Sequence, residues 1–310
     1  MRKIRKILYK TGVRPEVFVG ICLAVREIMF IFVDRMMKKI VKDLRVKAVE
    51  RLHERYVLLR LTDDEELPAM LPGQFAEVRV DDSPRTFLRR PISICYVDRE
   101  CNELWLLVAC VGDGTRRLAQ LSAGDRLNCM LPLGNGWSLT EGEPQGRRLL
   151  VGGGVGVAPL LYLGAELRRQ GIDVTFLLGA RSAKDLLLLS EFRKHGRVLV
   201  TTEDGTEGER GFVTQHSVLA EERFDGIHCC GPTPMMKAVA RYAREMATPC
   251  EVSLENLMAC GLGACLCCVE KVYLSDTVAQ HRTDGGKARP TGNVCVCKEG
   301  PVFDINRLMW

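Results

Sequence analysis

Between Ala259 and Val269 the chain reads ACGLGACLCCV, and further on CVCKEGPVF begins at Cys295. Cys260, Cys265 and Cys268 stand in C-x4-C-x2-C spacing, which with a fourth cysteine downstream is a ligand pattern for a [2Fe–2S] cluster. A loop that brings its thiolates to one small volume must fold back on itself. Gly261 and Gly263 permit this, and backbone N–H groups turned inward would stabilise the sulfur charge. Cys267, between two of the three, reads as a spectator, while Cys295 and Cys297 compete for the fourth place. The plainer alternatives are a zinc knuckle or buried free thiols. The number of cysteines, their spacing and the glycines favour iron–sulfur.

Fourteen cysteines would suggest disulfides in a secreted chain, but that needs a signal peptide. The N-terminus offers only the uncharged runs Val17–Val25 and Ile28–Val33, split by Arg26 and Glu27 and each short of the roughly 20 residues of a spanning helix. No A-x-A-type cleavage site follows the first. Six of the fourteen cysteines fall between 260 and 297, which suits metal binding in a reducing cytoplasm. The net charge of +5 comes from residues 1–44, where eleven Lys/Arg face four Asp/Glu; the remainder is slightly acidic and has no basic footprint for nucleic acid. The body starts at about Lys39, just after Met36 and Met37. Residues 1–38 are read as an N-terminal extension, with 1–36 expected to be dispensable rather than a basic membrane arm.

From Leu44 to about Pro132 the text is a series of short runs rich in Val, Leu and Ile, broken by Asp, Gly and Pro, without helices between them. This predicts a β-barrel over 39–143. After GNGWSLTEGEPQG strands alternate with helices, which predicts a parallel, doubly wound α/β domain over 144–250. Residues 251–310 are rich in Cys and Gly and form the expected cluster domain.

VGGGVGVAPL places Gly152, Gly153, Gly154 and Gly156 at a strand–helix turn where a pyrophosphate can approach the backbone. The spacing is not G-x-G-x-x-G, so the dehydrogenase fingerprint is excluded. In RTFLRRPISI, Arg90 and Ser93 stand where a guanidinium and a hydroxyl can hold a flavin phosphate and ring edge, and Gly114 and Thr115 of GDGT can serve the other phosphate. Each motif alone is as well explained by a β-edge or a tight turn; their order argues for a function. In CCGPTPMMKAV, Cys230, Gly231 and Pro232 lie at a strand end, where nucleotides bind in open α/β sheets, and Cys230 is expected against the nicotinamide. Met235 and Met236 read as core, EDGTEGERGFVT as a contact loop or a turn, and His195 and His228 as structural.

The order RPIS, GDGT, GGGVGVAPL, EDGT–GFVT, CGP–MM, ACGLGAC–C and VCKEGPVF, over 39–310, resembles the electron-transfer subunits of class B dihydroorotate dehydrogenase, within the ferredoxin–NADP reductase superfamily. The resemblance implies an FAD-binding barrel, an NAD-binding α/β domain and a [2Fe–2S] domain. It implies an FMN-containing catalytic partner, a heterotetramer of two of each chain, and electrons passing from dihydroorotate through FMN, the cluster and FAD to NAD⁺ in pyrimidine biosynthesis. By position it gives Arg90, Pro91, Ile92, Ser93, Leu107, Val108, Ala109, Gly114 and Thr115 to FAD, and Cys297 rather than Cys295 to the cluster. The chain departs from the family pattern at Cys267, where glycine is usual, at Ala109 and Cys110, and in a long Cys268–Cys297 segment. The alternatives are the flavin subunit of a related NADH-dependent ferredoxin–NADP oxidoreductase or sulfide dehydrogenase, and, from another class, a non-enzymatic redox sensor.

Overall fold

In the first strands every second apolar side chain is sealed into one core. Leu44 and Val46 of β1 (Ile40–His53) and Val57, Leu59 and Leu61 of β2 (Tyr56–Thr62) point inward together. With β3 (Phe75–Val78), β4 (Arg90–Asp98), β5 (Glu103–Ala109) and β6 (Arg126–Leu133) they close a barrel in the order β1-β2-β5-β4-β3-β6. Closure removes the exposed edges that such a sheet would otherwise carry. The short helix α1 (Asp113–Leu118) follows β5 and puts Leu118 into the barrel core. The computed structural model describes residues 39–139, 146–274 and 289–310; the expectations about residues 1–38 and about the middle of the long Cys268–Cys297 segment lie outside them.

The second half winds a seven-stranded sheet. Its elements run β7 (Arg147–Gly153), α2 (Ala158–Arg169), β8 (Asp173–Ala180), α3 (Leu189–Arg193), β9 (Arg197–Thr202), β10 (Glu209–Arg210), α4 (Val218–Glu221), β11 (Gly226–Cys230), α5 (Thr233–Glu245) and β12 (Cys250–Ser253). The order is β10-β9-β8-β7-β11-β12-β15, parallel from β10 to β12. Near-continuous apolar strands such as LLV in β7 and TFLL in β8 are what a sheet covered on both faces needs. Since β8 and β11 flank β7, the winding reverses there and opens a crevice at the carboxyl ends of the strands.

The C-terminal segment is less separate than its composition suggests. β13 (Val269–Tyr273) and β14 (Thr291–Cys295) form a two-stranded ribbon, α6 (Val296–Glu299) follows, and β15 (Val302–Asp304) returns antiparallel to β12. The sheet therefore continues past the expected boundary at 250, because Glu251, Val252 and Ser253 need ladder partners and β15 supplies them. The cores cross boundaries too. Tyr162 of α2 lies in the barrel core, while Phe75 and Leu133 of the barrel pack with Met258, Cys268 and Cys297.

Candidate functional site

The barrel strand and the glycine turn singled out in the sequence meet in space. A Cβ on Gly114 would lie 2.9 Å from Thr86 Cγ2 and 3.0 Å from Arg90 Nε, so only glycine lets the Arg90 guanidinium rest on the GDGT turn. Arg90, Pro91, Ile92 and Ser93 are all half-buried, accessible from one side as a ligand strand must be. Arg89 does different work: its Nη1 donates to the carbonyls of Glu77 (3.1 Å) and Asn128 (3.2 Å), tying β3 to β6.

Three of the sequence-named residues are placed with less freedom. Thr115 Oγ1 accepts the N–H groups of Val111 (3.0 Å) and Gly112 (3.1 Å) and donates to the Gly112 carbonyl, so this hydroxyl builds its own turn. Leu107 and Val108 are buried in two different cores, leaving Ala109 as the half-open residue of that strand end. Sequence reasoning missed the shallow cavity of about 310 Å³ whose walls include Arg85, Asp113, Arg116 and Arg117. Asp113 ion-pairs with Arg85 (3.5 Å) and Arg116 (2.9 Å), and Phe87 stands nearby at 91% exposed. The signal was present in RTFLRR and TRRL as a density of arginines, but only folding brings the two stretches together.

At the carboxyl end of the sheet the glycines divide into two kinds. A Cβ on Gly156 would lie 2.5 Å from Gly231 Cα, and one on Gly153 would lie 2.7 Å from Met235 Sδ. These residues let the β7 turn and the β11 turn pack backbone to backbone. Gly154 differs: its φ is +58° and a Cβ there would meet nothing within 4 Å, so it is the open rung of the turn. Cys230 is fully buried at the end of β11 with its Sγ 4.0 Å from Glu255 Oε1, and burial pushes both the thiol and that carboxyl up in pKa. Glu255 belongs to none of the motifs legible in the sequence. Met236 is core, as expected, and Met235 packs partly buried against it.

The cysteine loop turns at Gly261 (φ +66°), Gly263 (φ +83°) and Leu266 (φ +58°). Inside it the N–H groups of Leu262 and Cys265 both point at Cys260 Sγ, each at 3.4 Å. The Leu262 N–H, and after it that of Cys265, outweigh desolvation and hold the Cys260 thiol down at about 6. Gly263 N–H reaches Cys297 Sγ at 3.1 Å, and Cys297 N–H reaches Cys268 Sγ at 3.4 Å. Burial, and then the neighbouring Cys268, push the Cys297 thiol up. Cys295 Sγ instead donates to the Gly263 carbonyl at 3.7 Å, and Cys267 is exposed. Among the described residues no three His, Cys, Asp or Glu side chains close on one metal ion. The fit to a cluster rests on the thiol set and on the N–H groups aimed at three of its sulfurs, which match what a negatively charged iron–sulfur group requires.

Between the two sites stands Glu77 of β3, 0% exposed, with neither carboxyl oxygen hydrogen-bonded. A Cβ on Gly261 would lie 2.7 Å from Glu77 Cγ and 3.2 Å from its Oε1, so the side chain lies against the cysteine loop. Burial raises its pKa to about 7; Arg89 and Arg90 oppose the rise and Cys260 adds to it.

Comparison with known proteins places these sites in a family. Residues 255–309 match the family model described as the iron-sulfur cluster binding domain of dihydroorotate dehydrogenase B, and 150–241 match the oxidoreductase NAD-binding domain. A protein of Shouchella clausii named dihydroorotate dehydrogenase B (NAD(+)), electron transfer subunit, is 40% identical over 77% of this chain and 86% of its own length. Its namesake from Streptococcus pneumoniae strain R6 is 39% identical over 78% and 88%. Among solved structures, a chain from the NADH-dependent reduced ferredoxin-NADP oxidoreductase, studied for flavin-based electron bifurcation, superposes with a TM-score of 0.72 at 29% identity, covering 86% of this chain and 90% of that one.

Proposed function

The chain belongs to the family of electron transfer subunits of dihydroorotate dehydrogenase B, and from that premise we propose that it passes electrons through a [2Fe–2S] cluster and FAD to NAD⁺ in pyrimidine biosynthesis. The observation that carries this reading is the meeting, within one unit, of the Arg90–Gly114 contact, the open Gly154 turn and the N–H-lined cysteine loop. When bound, the cluster would supply one-electron transfer, and FAD would collect two such electrons with a proton for delivery as the hydride that NAD⁺ takes. Arg90 holds a flavin phosphate by its guanidinium, with Pro91, Ile92, Ser93, Ala109 and Gly114 around the flavin. Gly154 admits the nucleotide pyrophosphate while Gly152, Gly153 and Gly156 let the turn pack closely enough to present it, Gly231 and Pro232 close the nicotinamide end, and Cys230 lies beneath it. Cys260, Cys265, Cys268 and Cys297 hold the cluster, and the inward N–H groups offset its charge.

The partner in this reading is an FMN-containing catalytic subunit that oxidises dihydroorotate, joined in a heterotetramer of two of each chain in the cytoplasm. A reducing compartment suits a chain whose described cysteines are all free. No described helix is long and apolar enough to cross a membrane. The test is co-expression with the catalytic subunit from the same genome. Dihydroorotate-dependent reduction of NAD⁺ should require both chains, and the assembly should have the mass of two of each. A purified chain that instead reduces ferredoxin or NADP⁺ with NADH, and that binds no such subunit, would move the assignment to the bifurcating relatives.

A further inference from the structure

A dinucleotide with its pyrophosphate on the Gly154 turn and its nicotinamide at the end of β11 must send its adenosine the other way, over β8 and β9. In the dehydrogenase fold that end of the sheet carries either a carboxylate that hydrogen-bonds the ribose of NAD, or an arginine that accommodates the extra 2′-phosphate of NADP. Here β8 ends on Ala180 and the next residue is Arg181, the cation of the NADP arrangement. Arg181 is exposed, and among the described residues its guanidinium has no acceptor. The carboxylates arrive from the neighbouring strand. β9 runs parallel to β8 with Thr202 opposite Ala180, and the N–H groups of Glu203 and Asp204 donate to the carbonyls of Ala180 (3.1 Å) and Arg181 (3.2 Å). Of the two acids, Asp204 is the one held in place. Its Oδ1 accepts the Thr206 N–H (3.1 Å) and Oγ1 (2.7 Å), and the same Thr206 Oγ1 accepts the Ala183 N–H at 2.8 Å. Asp204, Thr206 and Ala183 thus tie the carboxylate to the loop that begins at Arg181.

We infer that Asp204 decides between the two nicotinamide nucleotides: its anchored carboxylate takes the ribose hydroxyls of NAD(H) and repels the 2′-phosphate of NADP(H), which Arg181 would otherwise bind. The inference rests on the NAD site of the proposed function. Discrimination of this kind comes from repulsion of the wrong ligand as well as attraction of the right one. A 2′-phosphate carries about two negative charges at neutral pH. Beside Asp204 it must be seated against a like charge that its hydrogen bonds keep from turning away. With that charge removed, Arg181 is left as a guanidinium whose fork matches phosphate geometry. Glu203, exposed and without an anchor, can turn into solvent, and Lys184 lies further along the loop.

The experiment uses the holoprotein with two readouts. One is the anaerobic rate of flavin bleaching by NADH and by NADPH. The other is calorimetric titration with adenosine 2′,5′-bisphosphate and with 5′-AMP, which reads the adenosine subsite without electron transfer. Asp204→Asn keeps the shape and removes the charge. It should raise the NADPH-to-NADH ratio of kcat/KM about tenfold and tighten adenosine 2′,5′-bisphosphate about as much, with 5′-AMP no tighter than before. Adding Arg181→Ala to Asp204→Asn should abolish both gains, whereas adding Lys184→Ala should not. Glu203→Gln alone should change the ratio by no more than about twofold. If Asp204→Asn does not fold, Asp204→Ser must show the same gains. If NADH fails to bleach the flavin of the unsubstituted chain, the functional reading falls, while the two adenosine titrations still decide the role of Asp204. The inference is overturned by an unchanged ratio and an unchanged bisphosphate affinity in the Asp204 variant, by gains that survive Arg181→Ala, or by a larger gain in Glu203→Gln.

Discussion

Arg90 and Arg89 are neighbours to which the proposed function gives opposite tasks, and their substitution should separate flavin binding from barrel stability. A charge-assisted hydrogen bond to a phosphate is worth roughly 1.5–3 kcal/mol, about ten- to a hundredfold in affinity. Arg90→Ala should therefore purify with substoichiometric FAD, keep its iron, and recover NADH oxidation when FAD is added in excess. Arg89→Ala should keep its flavin but melt at a lower temperature, since it loses bonds to Glu77 and Asn128. A flavin deficit larger in the Arg89 variant would reverse the assignment. The same scale decides the fourth cluster ligand. Cys297 is buried, accepts the Gly263 N–H and sends its own N–H to Cys268, whereas the half-buried Cys295 receives no backbone N–H at its sulfur among the described contacts and donates to a carbonyl. Cys297→Ser should lose iron and sulfide while Cys295→Ser and Cys267→Ser retain both, and full iron in the Cys297 variant would transfer the role to Cys295. Spacing named the first three cysteines without help, because C-x4-C-x2-C is local. It left Cys295 and Cys297 level, and Glu77 and Glu255 were invisible, because a carboxyl in a strand declares nothing until its surroundings are known.

At the scale of elements, the strand–turn–helix of VGGGVGVAPL was legible because glycine and proline mark such junctions, and it stands as β7, a turn and α2. What the text did not distinguish is which glycines serve packing and which serve a ligand. Gly156 faces the backbone of Gly231 from a neighbouring strand end, so a methyl group 2.5 Å from that Cα must push the β7 and β11 turns apart. Overpacking of this kind costs roughly 1–3 kcal/mol. Gly156→Ala should raise KM for NADH several-fold and lower the melting temperature, with FAD and iron content unchanged. An unaltered KM would mean that the nicotinamide half-site does not depend on this contact. The strand β15 was likewise not legible as part of the sheet: Val302–Asp304 is too short to show a period, and it joins β12 across some fifty residues of sequence.

The three-domain order was readable from the succession of strand-only, strand–helix and cysteine-rich text, but the molecule is bound together more tightly than a series of domains. Tyr162 belongs by sequence to the nucleotide-binding helix α2, yet its ring is 1% exposed within the barrel core and its hydroxyl donates to the Met70 carbonyl at 3.1 Å. Its ring also meets Tyr96 of β4 edge-on at 6.0 Å, and Tyr96 stacks on His195 beyond α3. A helix pattern cannot reveal such a contact, because the residue is apolar-facing toward either neighbour. If one shared core holds barrel and sheet, they must unfold together. Far-ultraviolet circular dichroism and flavin release should then give coincident melting curves in the unsubstituted chain. Tyr162→Phe removes the buried hydrogen bond to the Met70 carbonyl and the long one accepted from Arg99 at 3.5 Å, a loss of about 1 kcal/mol. Tyr162→Ala opens a cavity between the two halves and should cost roughly 3–5 kcal/mol, as large aromatic truncations do. With that much of the shared core gone, the two probes should separate, the barrel releasing flavin before the sheet melts. Coincident curves in Tyr162→Ala would show that the halves are coupled through other contacts, among which the Arg55–Asp185 ion pair at 3.1 Å between the β1–β2 hairpin and the sheet is the next to remove.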